Sequence, residues 1–159
     1  MPDPAFDSAR FRQVLGHFPT GVTVVTAAGS PPVGMAVGSF FSISLEPPLV
    51  GFCAGHTSTS WPGIKEAGRF CVNVLADDQE ELSRVFASKE EDKFQGVGWS
   101  TSPLGSPRLH DVLAWIDCEI DQVLPAGDHD IVVGAVHDLE VAREADPLLF
   151  FRGGYNRLA

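Results

Sequence analysis

The chain has 159 residues and a mass of 17.1 kDa, which is the size of one domain. Hydrophobic residues make up 44% and charged residues 20%, which excludes a disordered chain. The formal charge of −10 argues against nucleic acid and anionic membranes as partners, because both are polyanions. No apolar run approaches the roughly 20 residues that cross a bilayer, and residues 1–10 lack a signal peptide pattern. We therefore expect one domain over residues 1–159, located in the cytoplasm.

The first predicted element is a short amphipathic helix over residues 8–18, with Asp7 or Ser8 as its cap. Four apolar residues recur on one face of this helix at helical spacing: Phe11, Val14, Leu15 and Phe18. A brief helical turn is predicted over residues 62–67. A second helix is expected to begin at Asp77 and to bury Leu82, Val85 and Phe86.

The rest of the chain is dominated by β-branched and apolar runs between turn residues, which predicts about seven strands. These runs lie near residues 22–27, 33–44, 49–53, 70–75, 114–121, 131–136 and 147–151. In the run 114–121, strict alternation predicts that Trp115 and the acidic residues after it face solvent. Residues 88–111 show little periodicity, and we expect them to form a lid or a wall of a site.

These elements predict a mainly β protein, an antiparallel barrel with two or three short helices. A parallel nucleotide-binding fold is excluded by the missing strand–helix alternation and by the absence of GxGxxG. The chain also lacks GxSxG, GxxxxGK[ST] and any His or Cys cluster at metal-ligand spacing, so no metal site is expected. The cysteines Cys53, Cys71 and Cys118 contain no CxxC unit and are expected to be free thiols in the core.

Two segments are candidates for ligand binding. In residues 34–44 small side chains alternate with bulky ones, which lets a flat ligand approach the backbone, although a tightly packed barrel strand gives the same pattern. Residues 56–60, HTSTS, place hydroxyls before a helical turn, where phosphate is the natural anion. The alternative for this loop is that Ser58, Thr59 or Ser60 only caps the helix.

Two further segments could serve either structure or binding. His129 follows Gly127 and Asp128 at a strand entrance, where it is either a turn residue or a donor to a carboxamide or phosphate. Residues 151–155, FRGGY, suit stacking on a planar ring or packing of the tail.

In chain order, several motifs together resemble the flavin reductase family with the FMN-binding split-barrel fold. The resemblance covers about residues 11–158 and rests on FPTGVTVVTA, GMAVGSFFSISLEPPLVGF, HTSTSWP, RFCVNVL, DKF, AGDHDIVVGAV and RGGY. It implies an antiparallel split β-barrel, FMN or FAD as flavin, and NADH or NADPH as hydride donor. It also implies a homodimer with flavin at the subunit interface, and a separate flavin-dependent monooxygenase supplied by diffusing reduced flavin.

The resemblance assigns site residues by motif. The flavin ring would lie along Met35, Ala36, Val37, Gly38 and Ser39, next to a wall formed by Phe52, Cys53 and Ala54. The phosphate would be held by Ser58, Thr59 and Ser60, with Ser88 to Lys93 closing over it. The nicotinamide site would be shaped by His129, Arg152, Gly153 and Tyr155, with His129 and Tyr155 orienting the rings rather than transferring protons.

One departure concerns the flavin strand, where many family members carry Thr and Asn or Ser and this chain has Ala36 and Gly38. The chain can therefore make fewer side-chain hydrogen bonds to the flavin ring, and the choice between FMN and FAD stays open. Two other functions also remain open: a split-barrel module that carries flavin without using nicotinamide, and a reductase of a different acceptor.

Overall fold

One antiparallel sheet of seven strands organises the molecule, a computed structural model that describes residues 2–159. The helices are α1 (Ser8–Leu15), α2 (Trp61–Ala67) and α3 (Glu80–Ala87). The strands are β1 (Thr20–Gly21), β2 (Thr23–Ala27), β3 (Val33–Val37), β4 (Phe41–Ser44), β5 (Leu49–Gly55), β6 (Arg69–Val74), β7 (Trp99–Thr101), β8 (Pro107–Leu109), β9 (Ala114–Ala126), β10 (His129–Val141), β11 (Leu149–Phe151) and β12 (Gly154–Asn156).

The main sheet has the order β3-β2-β6-β9-β10-β5-β4, and two small sheets, β1-β11-β12 and β7-β8, accompany it. Every strand pair is antiparallel, which confirms the predicted mainly β class with short helices. Within residues 2–159 no backbone ladder joins β3 to β4. The expected barrel is therefore open along this line, and β3 and β4 are edge strands.

The core consists of two apolar clusters on opposite faces of the sheet. One lies between the sheet and α2 and includes Phe52, Trp61 and Phe70, with Phe52 edge-on to both other rings. The other lies beneath α3 and includes Phe86 and Phe94, whose ring centroids are 5.0 Å apart. Burying each of these side chains contributes about 1.5–3 kcal/mol, so the two clusters fix the helices on the sheet.

Helix α1 ends at Leu15, three residues before the predicted end, and its apolar side faces outward. Asp7 caps the helix as expected, accepting a hydrogen bond from the Arg10 amide at 2.9 Å. The exposed fractions of the residues on this face are 52% for Phe11, 60% for Val14, 52% for Leu15 and 73% for Phe18. The predicted apolar face is present, but no other segment within residues 2–159 covers it.

Helix α3 begins at Glu80, with Gln79 as its cap residue, so the predicted start at Asp77 was wrong. The cause is a turn before the helix: the Ala76 amide donates to Oε1 of Gln79, and the Gln79 amide donates to the Ala76 carbonyl. The buried face carries Phe86 as expected, but also Ser83, while Val85 is 38% exposed.

The face of β9 that was predicted to be exposed to solvent is partly buried. Trp115 and Asp117 are buried, because the segment carrying β7 and β8 covers them. The Asp117 carboxylate accepts hydrogen bonds from Oγ of Ser102 at 2.8 Å and from the Leu104 amide at 2.7 Å. The Arg108 guanidinium lies 4.9 Å from the centre of the Trp115 ring.

Residues 88–111, which were expected to be a loop that forms a lid or a wall of a site, are more regular than predicted. They contain the β7–β8 hairpin, and Lys93, Phe94 and Leu109 among them are buried. All three cysteines are free, as expected, with Cys71 and Cys118 buried and Cys53 half-buried. Burial raises the pKa of the Cys118 thiol to about 12, which leaves it unreactive. None of the helices described for residues 2–159 has the length and apolar character to cross a membrane.

Candidate active site

Strand β3 offers free backbone groups along its outer edge. The Gly34 carbonyl points away from β2, because it accepts hydrogen bonds from Oγ of Ser60 at 2.9 Å and from Nζ of Lys93 at 3.1 Å. Backbone direction alternates along a strand, so the backbone groups of Ala36 point to the same outer side. An edge strand with small residues can therefore hydrogen-bond a flat ligand through its backbone.

A cavity of about 440 Å³ lies against this edge, and we call it the hydroxyl-loop cavity. Its lining comes from β3, β5, the loop before α2 and the segment after α3. The residues are Met35, Ala36, Val37, Gly38, Ser39, Cys53, Ala54, Gly55, Thr57, Ser58, Thr59, Phe86, Ala87, Ser88, Lys89, Lys93 and His129. The structure thus brings together all the sequence-predicted ring, wall and phosphate residues except Phe52, Ser60 and residues 90–92.

Ser39 fixes the junction between the ring strand and the wall strand. Its Oγ accepts a hydrogen bond from the Cys53 amide at 2.9 Å and donates to the Cys53 carbonyl at 3.3 Å. Phe52, which was assigned to the wall, is fully buried behind it in the core and touches neither cavity described here. The wall next to β3 is therefore made by Cys53 and Ala54, with Phe52 as its support.

The hydroxyl loop before α2 combines capping with exposed hydroxyls. Oγ of Ser58 accepts hydrogen bonds from the amides of Ser60 at 3.2 Å and Trp61 at 3.1 Å. Thr57 and Thr59 are exposed and line the cavity. Ser58 therefore caps the helix, which was the alternative interpretation of this loop. The hydroxyls of Thr57 and Thr59 are available to a ligand. Thr57 was missed, although it belongs to the same hydroxyl run in the sequence.

Lys93 lies behind the hydroxyl loop and is only 7% exposed. Its Nζ donates to the Gly34 carbonyl at 3.1 Å, to Oγ of Ser60 at 3.1 Å and to the Phe86 carbonyl at 3.0 Å. Burial lowers the pKa of this amine. Lys89, which belongs to the range 88–93 that was expected to close over the phosphate, is exposed on the same cavity and adds a second positive charge.

Of the two histidines near the hydroxyl loop, His129 lines the cavity and His56 does not. Nδ1 of His129 lies 2.7 Å from the Asp128 carboxylate, and its ring stands over Gly55, where a Cβ would come 3.5 Å from Nε2. His56 turns away and pairs with Asp130 at 3.0 Å. Hydrogen bonds from the Trp61 indole and from His56 hold the pKa of Asp130 below its ordinary value.

Tyr155, Arg152 and Gly153 lie in a second cavity of about 390 Å³, which we call the C-terminal cavity. It shares four lining residues with the hydroxyl-loop cavity: Ala36, Val37, Gly38 and Ala87. His129 lines only the hydroxyl-loop cavity and Tyr155 only the C-terminal cavity, so the two residues do not line one common cavity within this chain. The remaining lining includes Leu15 and Phe18 at the end of the exposed α1 face.

The C-terminal strands are fixed to α3 and α1 by specific contacts. The Tyr155 hydroxyl lies 2.8 Å from Oγ of Ser83, and the Arg84 guanidinium lies 5.0 Å from the centre of the tyrosine ring. The Arg152 amide donates to the Gly16 carbonyl at 2.8 Å. Arg152 and Gly153 both have positive φ, 50° and 76°, so the glycine suits the tight turn between β11 and β12.

The described residues contain no group of three or more His, Cys, Asp or Glu side chains arranged to hold a metal ion. The chemistry available at the two cavities is instead that of hydroxyls, amines, backbone amides and apolar walls. This set of groups suits a planar ligand that ends in an anion.

Comparison with known proteins defines the class that this fold and site belong to. The family described as "Flavin reductase like domain" matches residues 15–159. A "Flavin reductase" of Pseudomonas putida is 54% identical over 157 residues, covering 98% of this chain and 92% of the relative. The reductase subunit HsaB of a flavin-dependent monooxygenase from Rhodococcus jostii is 51% identical over 152 residues, covering 95% and 78%.

The structural comparison agrees. An NADH:FAD oxidoreductase of Streptomyces globisporus, solved in complex with NAD and FAD fragments, superposes with a TM-score of 0.92 at 38% identity, covering 100% of this chain and 96% of that one. The chain belongs to the flavin reductase family, as the sequence motifs predicted.

Proposed function

We propose that this protein is an NAD(P)H:flavin oxidoreductase that transfers hydride from NADH or NADPH to FMN or FAD and releases the reduced flavin to a separate monooxygenase. The observation that carries the proposal is the hydroxyl-loop cavity along the edge of β3. The named relatives support it, since they are a flavin reductase, a reductase subunit of a flavin-dependent monooxygenase and an NADH:FAD oxidoreductase.

The residues present fit a flavin. The cavity volume of about 440 Å³ is in the range of cofactor sites. Ala36 and Gly38 leave the outer backbone of β3 open to a ring, and Thr57 and Thr59 offer hydroxyls where the phosphate would lie. Lys89 and Lys93 give this end of the cavity a positive charge, which suits a dianionic phosphate.

The flavin and the nicotinamide supply the hydride chemistry when they are bound. The chain's own residues then have to bind and orient the flavin and the nicotinamide and to exclude water from them. Met35 to Ser39 would hold the ring plane through the backbone, and the loop 57–60 would hold the phosphate. We assign His129 and Tyr155 to orientation, each from the cavity that it lines.

We also propose that the protein is a homodimer with the flavin at the subunit interface. Phe18 is 73% exposed and lines the C-terminal cavity, so the bare apolar face of α1 continues into the site. On the other sheet edge, Phe41, Ile43 and Leu45 of β4 and its turn are also exposed. Apolar surface of this extent beside a site is typical of an interface. The expected cytoplasmic location and the single domain over residues 1–159 stay predictions.

The function is tested by anaerobic NADH and NADPH oxidation at 340 nm with FMN, with FAD and without flavin. We expect turnover only when flavin is added, with saturation in both substrates. Flavin binding without turnover would replace the proposal by a carrier module, and turnover without added flavin would indicate a different acceptor.

A further inference from the structure

Lys93 joins three elements that surround the hydroxyl-loop cavity. Its Nζ donates to a carbonyl of β3 (Gly34), to the hydroxyl of Ser60 before α2 and to a carbonyl of α3 (Phe86). An ammonium group has three N–H donors, so each of them has a partner within the protein. Lys93 therefore has no donor left for a ligand, although it lines the cavity.

All three acceptors of Lys93 are neutral. Within residues 2–159 no carboxylate lies within 4.0 Å of its Nζ, whereas other cations such as Arg84 and Arg143 are paired with acids. A buried charge without a counter-charge is costly, because the low dielectric of the interior removes its hydration. The burial that lowers the pKa of this amine reflects the same cost. The charge lies beside the exposed hydroxyls of Thr57 and Thr59 rather than in the centre of the core.

We propose that Lys93 is a positioning residue for the phosphate of the flavin: it holds the loop 57–60 in place through Ser60, and its positive charge is balanced only when that phosphate is bound. The inference rests on the proposed function. The family resemblance places Lys93 among the residues that close over the phosphate. In this inference Lys93 acts on the phosphate through Ser60 and through its electric field, and it makes no direct contact with the phosphate. Ser60 also has a part in holding the loop 57–60, although Ser60 lines a neighbouring cavity of about 450 Å³, together with Lys93, rather than the hydroxyl-loop cavity.

The experiment compares two ligands that differ only in the phosphate, FMN and riboflavin, by fluorescence titration. The variant is Lys93→Met, which keeps the length and apolar stem of the side chain and removes the charge. Lys65→Met is the matched control, because it makes the same change of charge on the exposed side of α2, outside the cavity. A residue that only connected the three elements would affect both ligands by the same factor.

We expect Lys93→Met to weaken FMN binding by about tenfold or more and riboflavin binding by less than about threefold, since only FMN carries the anion. Lys65→Met should keep the wild-type preference for FMN. Ser60→Ala keeps the charge but cuts the link to the loop, and it should reduce the same preference by a smaller factor. An equal loss of both ligands in Lys93→Met, or an unchanged preference, would overturn the proposal.

A measurement without flavin separates this inference from the proposed function. Inorganic phosphate should raise the Tm of the wild type and of Lys65→Met, and it should raise the Tm of Lys93→Met and Ser60→Ala clearly less. If the wild type bound neither flavin, the proposed function would fail while this comparison still decided the role of Lys93. If Lys93→Met did not fold, Ser60→Ala would decide both measurements, and an unchanged response there would contradict the proposal.

Discussion

The Tyr155 hydroxyl lies 2.8 Å from Oγ of Ser83, and this hydrogen bond ties the last strand of the chain to α3. Phe150 packs edge-on to the tyrosine ring with centroids 5.2 Å apart, and Arg84 lies over the ring. The ring therefore forms a fixed wall of the C-terminal cavity. Because the hydroxyl is already engaged, Tyr155 is suited to shape that cavity and is not placed to move a proton.

The first prediction concerns this hydrogen bond. Tyr155→Phe removes the hydroxyl and keeps the ring, so we expect the free energy of unfolding to fall by about 0.5–1.5 kcal/mol. The rate of flavin reduction should stay close to the wild-type rate. Urea denaturation and anaerobic stopped-flow absorbance measure the two quantities. A large loss of the reduction rate with unchanged stability would show that the hydroxyl acts on the substrates directly.

The second prediction concerns His129, whose ring stands over Gly55 and lines the hydroxyl-loop cavity. His129→Ala should raise the KM for the nicotinamide, or slow flavin reduction, by about tenfold, because orientation of the reacting rings is lost. Flavin affinity should change little. His56→Ala is the matched control, since His56 is directed to Asp130 and does not line the cavity. An unchanged reductive half-reaction in His129→Ala would remove this role.

The third prediction concerns the buried carboxylate of Asp117. Asp117→Ala leaves the Ser102 hydroxyl and the Leu104 amide without their acceptor, and it should lower the free energy of unfolding by about 1–3 kcal/mol. Glu119→Ala, an exposed position on the same face of β9, should change it by less than about 0.5 kcal/mol. Equal effects of the two substitutions in urea denaturation would mean that Asp117 does not hold the β7–β8 segment.

The fourth prediction is a pH dependence that arises at Asp130. The pKa of this carboxyl is lowered from 3.8 by hydrogen bonds from Trp61 and His56, so the unfolded state binds a proton more readily than the folded state. The resulting stabilisation is present above pH 3.8 and is lost as the pH falls through the lower folded value. Asp130→Asn should therefore flatten the decrease in urea midpoint below pH 3.8. Asp121→Asn, an exposed control, should keep the wild-type slope.

The parts of the fold that local sequence determines could be predicted. β-branched runs bounded by turn residues predicted the β2–β3 and β4–β5 hairpins, and the polar residue Asp7 predicted the start of α1. Small residues along β3 and hydroxyls in residues 56–60 marked these segments as candidates, and the family motifs assigned them to the flavin, a role that stays a prediction. These features depend on neighbours within about ten positions.

The parts that failed depend on residues far away in the chain. Asp117 is buried because Ser102 and Leu104 fold over it. The alternation of residues within β9 cannot indicate this burial. Lys93 has its acceptors 59, 33 and 7 residues away, so its burial could not be inferred from the charged run around it. The exposure of the apolar face of α1 could not be predicted, because apolar spacing does not distinguish packing within the chain from packing against another molecule.

The most direct test of the site is a crystal structure of the protein with FMN. We expect the ring along the outer edge of β3 between Met35 and Ser39, and the phosphate within hydrogen-bond distance of Thr57 or Thr59. Lys93 should keep its hydrogen bonds to Gly34, Ser60 and Phe86 without touching the phosphate. FMN bound in the C-terminal cavity with its phosphate away from the hydroxyl loop would show that the edge of β3 and the hydroxyl loop do not form the flavin site.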